Sequence, residues 1–186
     1  MSSCEGDSGT LPVALRPPLV KPGEHPDFYR IAPPPGTSRE STIALDREGH
    51  FTHEGEPIDH PALERALRSW IAAHPDDGRP ILTNGYDWCY FRVEDAPFIV
   101  SSLHVDESGA ATLTLFDETE EPLDPATLAL GDDGVVYAKV KGGRLEARFS
   151  RHAQTQLAPV LVSAEPPTVR IRGEDRVIPP RVAKRS

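Results

Sequence analysis

The sequence predicts an α+β protein dominated by antiparallel β-sheet, and three observations lead to this prediction. Short segments in which apolar and polar residues alternate recur along the chain, separated by turns rich in Gly, Asn and Pro. A strongly amphipathic helix interrupts them over residues 61–71, and a second helix begins after Ser150. A turn, a strand and a helix also follow one another in similar order after residues 45 and 130, which indicates two repeated hairpin-and-helix motifs.

The first motif is predicted to begin with a hairpin formed by residues 41–45 and 50–53, which alternate around a glycine-containing turn. Pro61 then occupies the first position of a helix, where its missing N–H costs nothing. After that helix, Asn84-Gly85 is a strong signal for a two-residue hairpin turn, so a long strand is predicted over residues 86–93. Further strands are predicted over residues 98–105 and 111–116.

The second motif is predicted around another hairpin, in which residues 135–140 and 144–149 pair across a Lys-Gly-Gly turn. Ser150 can cap the second helix, which is expected to reach about Ser163 unless Pro159 kinks or shortens it. Two final strands are predicted over residues 168–172 and 176–178.

The N-terminal region is expected to be an extended arm, because it holds eight prolines, and each proline fixes φ and removes a backbone donor. Residues 27–31 form an apolar patch within this arm. The patch either lies across the globular body or serves as a short linear motif for a partner. The predicted divisions are the arm (1–38), the first motif with its strand meander (39–117), the second motif (118–180) and a basic tail (181–186).

Composition restricts the class of protein. The 186 residues include 29 acidic and 20 basic side chains, giving a net charge of -9, which disfavours nucleic-acid binding through bulk charge. No apolar run approaches the roughly 18 residues that a membrane span needs. No secretory signal is recognised, so a cytoplasmic location is expected. Cys4 and Cys89 are too few for a disulfide framework, and both are expected to be reduced thiols.

Two clusters of polar residues have side chains suited to metal binding or acid/base chemistry. His50 and His53 lie three positions apart on a predicted strand and therefore face opposite ways, so no metal site is predicted. Glu94 and Asp95 are adjacent and are a poor acid/base pair for the same reason. Asp95 is expected instead to accept backbone N–H bonds at the turn before Pro97. The sequence thus predicts no catalytic residue, metal or cofactor.

Two other groups of residues suit binding. Tyr86, Trp88 and Tyr90 alternate along one strand and share one face. This face is either core or a recognition surface with Arg79 or Arg92 at its rim. Arg148 and Arg151 can hold an anion, but Arg148 can equally pair with Glu94 or Glu146.

Several short segments, taken in order, resemble the bacterial proteins of domain-of-unknown-function family 1285 (DUF1285). The resemblance extends over about residues 41–162, and it implies a compact fold with repeated sheet-and-helix motifs. It also implies a role in binding or signal transduction, without an assigned reaction. The segments that carry it are residues 53–58, 61–63, 77–79, 93–98 and 143–151.

The leading hypothesis is a cytoplasmic binding or regulatory module without a catalytic site, whose partner is an unidentified protein or small molecule. One alternative is a small hydrolase- or transferase-like enzyme that uses His53 and Glu54 with Arg79. Another is a structural homo-oligomer, and a homodimer can form through an exposed sheet edge. The predicted ligand-binding residues are His53, Glu54, Arg79, Tyr86, Trp88 and Tyr90.

Overall fold

The computed structural model describes residues 21–182, which form three β-sheets and two short α-helices. Cys4 and most of the proline-rich arm lie outside this range, as do the last four residues of the basic tail. The β-dominated α+β fold predicted from the sequence is confirmed. In residues 21–182, neither helix has the length and apolar character that a transmembrane segment requires.

The first sheet contains six strands in the order β3-β2-β1-β6-β5-β4, and the helix α1 connects its two halves. Each half is an antiparallel three-stranded meander, and the halves meet where β1 and β6 run parallel. Its elements are β1 (Glu40–Leu45), β2 (Phe51–His53), β3 (Glu56–Pro57), α1 (Pro61–Trp70), β4 (Ile71–Ala73), β5 (Pro80–Thr83) and β6 (Trp88–Val93).

The second sheet repeats this topology. Two antiparallel meanders again meet at a parallel pair, here β7 and β12, and a 3-10 turn at Pro125–Thr127 replaces α1 between them. The predicted boundary at residues 117/118 falls between β8 and β9, which pair within this sheet. Its strands are β7 (Phe98–Val105), β8 (Ala111–Leu115), β9 (Glu120–Pro122), β10 (Ala129–Leu130), β11 (Val136–Val140) and β12 (Leu145–Phe149).

Helix α1 begins where its sequence signals indicate, but it ends at Trp70, before the stop signals Pro75 and Gly78. The His60 ring nitrogen accepts a hydrogen bond from the Leu63 N–H, and Pro61 occupies the first turn. Leu67 faces the core and is buried. The chain passes directly from Trp70 into β4, so the helix is one residue shorter than the sequence pattern predicted.

The second helix, α2 (Arg151–Gln156), is capped by the Ser150 hydroxyl, as predicted. The helix ends at Gln156 rather than near Ser163, and it is shortened at Pro159 as predicted, because the chain tightens there into a 3-10 turn at Ala158–Val160. The residues that follow form the edge of a small third sheet instead. That sheet consists of β13 (Leu161–Ala164), β14 (Pro167–Ile171) and β15 (Glu174–Val177), in that order.

The two six-stranded sheets share one hydrophobic core. Leu45 and Phe51 from the first sheet belong to the same buried cluster as Phe98 and Leu113 from the second. The turn between β1 and β2 packs closely on β7, since a Cβ placed on Gly49 would lie 2.5 Å from the Ile99 Cδ1 atom. The sheets are therefore expected to unfold together.

Leu113→Ala tests this shared core. Leu113 lies in the second sheet, whereas both tryptophans, Trp70 and Trp88, belong to the first sheet and its helix. The cavity should lower the free energy of unfolding by about 2–5 kcal/mol. The urea transition followed by tryptophan emission should shift together with the transition followed by far-UV circular dichroism.

The exposed variant Val162→Ala is the control, and it should change stability by no more than about 0.5 kcal/mol. A tryptophan transition that stays in place while the circular-dichroism transition moves would contradict a shared core.

Candidate functional site

A cleft of about 670 Å³ opens where the β1–β2 turn of the first sheet faces the β12–α2 junction of the second. The turn contributes Arg47, and the junction contributes Arg148 and Arg151. Ile99, Val135 and Phe149 supply apolar surface. The cleft thus combines three guanidinium groups with an apolar wall.

The charge of the cleft differs from that of the whole chain. Three arginines line it against one carboxylate, that of Glu48, although the net charge of the protein is -9. Arg47 is exposed and its Nη2 donates to the Glu94 carboxylate at 2.8 Å. The exposed Arg151 guanidinium makes no hydrogen bond or ion pair within residues 21–182. Arg151 is therefore free to bind an anion.

Arg148 is held by a hydrogen-bonded cluster centred on Asp95. The Arg148 Nη1 lies 2.7 Å from Asp95 Oδ2, the Tyr137 hydroxyl donates to the same oxygen at 2.8 Å, and the Arg181 Nη1 donates to Asp95 Oδ1 at 2.6 Å. Arg148 also reaches the Asp133 carboxylate at 3.3 Å, and Arg181 also pairs with Glu146.

Protonation in this cluster follows from its contacts. Partial burial alone raises the pKa of Asp95, but the hydrogen bonds from Arg181, Tyr137 and Arg148 outweigh it, and the pKa lies below its usual value. Burial, followed by the hydrogen bond to Asp95, raises the pKa of Tyr137 to about 12. Asp95 is therefore ionised and Tyr137 is a neutral donor at neutral pH.

Hydrogen bonds fix the position of helix α2, which carries the cleft residue Arg151. Ser150 caps α2, which fixes Arg151 in the first helical turn. The Gln154 side chain donates to the Gly134 carbonyl at 2.9 Å and accepts from the Val136 N–H at 3.3 Å, so it ties α2 to β11 and the preceding turn. These hydrogen bonds hold α2 in place before any ligand arrives.

A second recess of about 310 Å³ adjoins the cleft, because Arg47 and Arg148 line both. Its remaining walls include four carboxylates and the Arg181 guanidinium. The carboxylates belong to Glu94, Asp95, Asp132 and Asp133.

The structure brings together three of the six residues predicted to bind a ligand. Trp88 and Tyr90 lie side by side on β6, and the guanidinium carbon of Arg79 lies 3.8 Å from the centre of the Tyr90 ring. Arg79 is also paired with Glu40. This aromatic face is covered, because Phe28 from the arm packs on it and Trp88 is only 6% exposed.

The other three predicted residues lie apart from this group. Tyr86 is 65% exposed and sits in the turn before β6, because the Asn84 side chain accepts the N–H bonds of residues 86 and 87 and lengthens the predicted two-residue turn. His53 and Glu54 lie exposed at the β2–β3 turn. In the described part of the chain, no hydrogen bond or ion pair joins either of them to Arg79, as the enzyme hypothesis would need.

Sequence reasoning identified part of the cleft. It singled out Arg148 and Arg151, but the carboxylates that hold Arg148 are Asp95 and Asp133, rather than Glu94 or Glu146. It expected Asp95 to bind backbone N–H groups, whereas the donors to its carboxylate are side chains. It missed Arg47, since only the packing of the two sheets brings that side chain to the cleft.

Replacing Asp95 by Asn should lower the free energy of unfolding by about 1–3 kcal/mol at pH 7, because two partly buried guanidinium groups lose their charged partner. Since the pKa of Asp95 is lower in the folded than in the unfolded chain, this stabilisation is complete above about pH 5 and is lost as the pH falls below about 4. Urea titrations of the wild type and the variant from pH 3 to 7 measure the difference.

Asp175→Asn is the matched control, because it removes an Arg–Asp pair that is exposed. A difference between wild type and Asp95→Asn that stays constant over this pH range would show that the charge of Asp95 is not what stabilises the cluster.

Comparison with known proteins identifies two solved structures with a similar fold, whereas no family model and no curated protein matches the chain. One is a DUF1285 family protein from Silicibacter pomeroyi DSS-3, with 21% identity and a TM-score of 0.60 over 76% of this chain and 79% of that one. The other is a DUF1285 family protein from Shewanella baltica OS155, with 19% identity and a TM-score of 0.53. That match covers 66% of this chain and 94% of the other chain. The resemblance predicted from the sequence is thus confirmed: this chain has the fold of DUF1285 proteins.

Proposed function

We propose that this protein is a cytoplasmic binding module that holds a small organic anion in the arginine-lined cleft and acts by binding rather than by catalysis. One observation carries the proposal. Three arginines face one cleft against a single carboxylate, in a chain whose net charge is -9. Arg47 and Arg148 are paired with carboxylates that lie outside this lining, Glu94 and Asp95, whereas the Arg151 guanidinium has no partner in the described residues, so an anion would neutralise the charge of Arg151 first.

The ligand class follows from the side chains. A guanidinium group presents parallel N–H donors that match a carboxylate or a phosphate, and Arg151 has all of its donors available. The apolar surface of Ile99, Val135 and Phe149 suits an organic body attached to that anionic group. The cleft volume also lies within the roughly 300–1,000 Å³ typical of small-molecule sites. We therefore favour a compact phosphorylated or carboxylated metabolite.

The ionisable groups around Arg148 argue for binding rather than catalysis. Asp95 is ionised, but both of its oxygens accept hydrogen bonds from neighbouring side chains. Tyr137 remains protonated far above neutral pH. The hydrogen bonds that lower the pKa of Asp95 also make its carboxylate a weaker base, and a Tyr137 hydroxyl that stays protonated cannot accept a proton, so neither group suits general-base catalysis.

A regulatory role follows from where the arginines are attached. Arg47 belongs to the first sheet, whereas Arg148 and Arg151 belong to the second sheet and its helix. An anion that contacts both sides would link the two sheets across the cleft. Ligand binding would then stabilise the packing of the two sheets against each other, and we propose this added stability as the regulatory effect.

Isothermal titration calorimetry at low ionic strength tests the proposed anion site. We expect at least one probe among inorganic phosphate, citrate and AMP to bind, while adenosine, the neutral counterpart of AMP, does not. Raising the ionic strength should weaken binding, because the attraction is between charges at the surface. Absence of binding by all three anions would contradict the proposal.

Arg151→Gln should weaken the binding of that probe by about tenfold, since one charge-assisted hydrogen bond is lost, without changing the free energy of unfolding. Arg170→Gln is the control, because Arg170 is paired with Asp175 in the third sheet and is absent from the cleft lining. Equal affinity for the wild type and Arg151→Gln would place the anion elsewhere.

A further inference from the structure

Residues 22–31 form a segment that belongs to none of the three sheets. It consists of two 3-10 turns, Pro22–Glu24 and Phe28–Arg30, and three consecutive prolines separate it from β1. The segment lies on the outer face of the first sheet, on the side of β5 and β6 away from the shared core. It is thus an added covering rather than part of the sheet fold.

The surface beneath this segment is an aromatic recess, formed by Ile81, Trp88, Tyr90 and His74. Phe28 inserts into it and is only 6% exposed, and it forms a small hydrophobic cluster with Ile81 and Trp88 that is separate from the main core. The Tyr29 ring contacts the recess too, with its centre 6.0 Å from that of Trp88 and 5.8 Å from that of His74. Two neighbouring aromatic side chains therefore anchor the segment.

Polar contacts at the edge of the recess are exposed or half-buried. The Arg30 guanidinium forms two hydrogen bonds with the Asp76 carboxylate, at 2.8 and 3.0 Å. The Gly23 N–H donates to the Gly85 carbonyl at 2.8 Å. Aromatic anchors in a buried centre, surrounded by exposed polar contacts, are the arrangement found where one protein binds a peptide of another.

Two buried donors at Trp88 and its neighbour Arg39 are unsatisfied while the segment is bound. The Trp88 Nε1 and Arg39 Nε atoms are buried, and neither has a hydrogen-bond partner in the part of the chain that the structure describes. The two groups are neighbours, since the Arg39 guanidinium carbon lies 4.5 Å from the centre of the Trp88 ring. A buried donor without an acceptor is costly, so an occupant that supplied an acceptor here would bind better than the chain's own segment does.

We propose that the aromatic recess is a docking site for a linear peptide of a partner protein, and that residues 22–31 occupy it in the absence of that partner. The fitting peptide carries two consecutive aromatic residues, as Phe28 and Tyr29 do, together with an acidic side chain that reaches Trp88 Nε1 and Arg39. The chain's own segment is then a competitor in the same molecule, and it lowers the apparent affinity of the recess for the partner.

Fluorescence anisotropy with a labelled peptide of residues 21–31 tests this docking site on the full chain. In Phe28→Ala the intramolecular anchor is lost, so the peptide should bind this variant at least about tenfold more tightly than it binds the wild type. A peptide that itself carries Phe28→Ala should bind neither protein. The exposed variant Val162→Ala should behave as the wild type does.

A second variant, Gly23→Ala, tests the docking site independently of whether Phe28→Ala folds. A Cβ on Gly23 would lie 3.0 Å from the Gly85 Cα, and a backbone atom cannot avoid the contact by a change of rotamer. Gly23→Ala should therefore loosen the segment and leave the side chains of the recess unchanged. Circular dichroism checks that each variant is folded, and a red shift of tryptophan emission reports the opening of the recess over Trp88.

The acidic part of the proposal is tested by replacing each position of the peptide in turn with Asp, apart from Asp27 and the anchors Phe28 and Tyr29. At least one such peptide should bind Phe28→Ala about tenfold more tightly than the parent peptide, through a charge-assisted hydrogen bond to the unsatisfied donors. No improvement at any position would overturn this part.

Two results would overturn the docking site itself. One is a folded Phe28→Ala variant that binds the parent peptide no more tightly than the wild type does. The other is a wild-type dimer that grows with concentration and disappears in Phe28→Ala, because it would identify the occupant as the segment of a second copy.

Discussion

The relation between the two six-stranded sheets depends on the short link that joins them, residues 94–97 between β6 and β7. Asp95 lies in this link and accepts hydrogen bonds from Tyr137 on β11, Arg148 on β12 and Arg181 near the end of the described chain. One carboxylate therefore ties the link to three separate parts of the second sheet and its continuation. Glu94, its neighbour, pairs instead with Arg47 in the first sheet.

Two adjacent carboxylates hold arginines of different sheets, and this arrangement positions the arginines around the cleft. Glu94 and Asp95 both line the recess beside the cleft, where Glu94 binds Arg47 and Asp95 binds Arg148. The carboxylate pair thus positions Arg47 and Arg148 on the lining that the cleft and the recess share. Arg151 then adds the guanidinium that no carboxylate in the described residues holds.

Signals local in sequence predicted much of this fold, whereas contacts between distant residues could not be predicted. Pro61 and Ser150 begin helices because capping depends on residues one turn apart. The sequence predicted Tyr86 to lie on the strand, but it lies in the turn, because the Asn84 side chain accepts hydrogen bonds from the N–H groups of residues 86 and 87. The Asn-Gly pair alone does not indicate these hydrogen bonds. The cleft was only partly foreseen, because the parallel pairing of β1 with β6 and of β7 with β12 brings together strands about 50 residues apart.

The acidic surface and the arginine-lined cleft together favour a small ligand over a large one. Electrostatic interactions in physiological salt decay over about 8 Å, so a small anion inside the cleft responds mainly to the nearby guanidinium groups. A long polyanion would extend beyond the cleft and meet a protein whose net charge is -9. Bulk repulsion thus disfavours nucleic acid, whereas the Arg151 guanidinium, unpaired within the described residues, would still attract a compact anion. The two properties are complementary, because the surrounding negative charge makes the size of the ligand part of what the cleft selects.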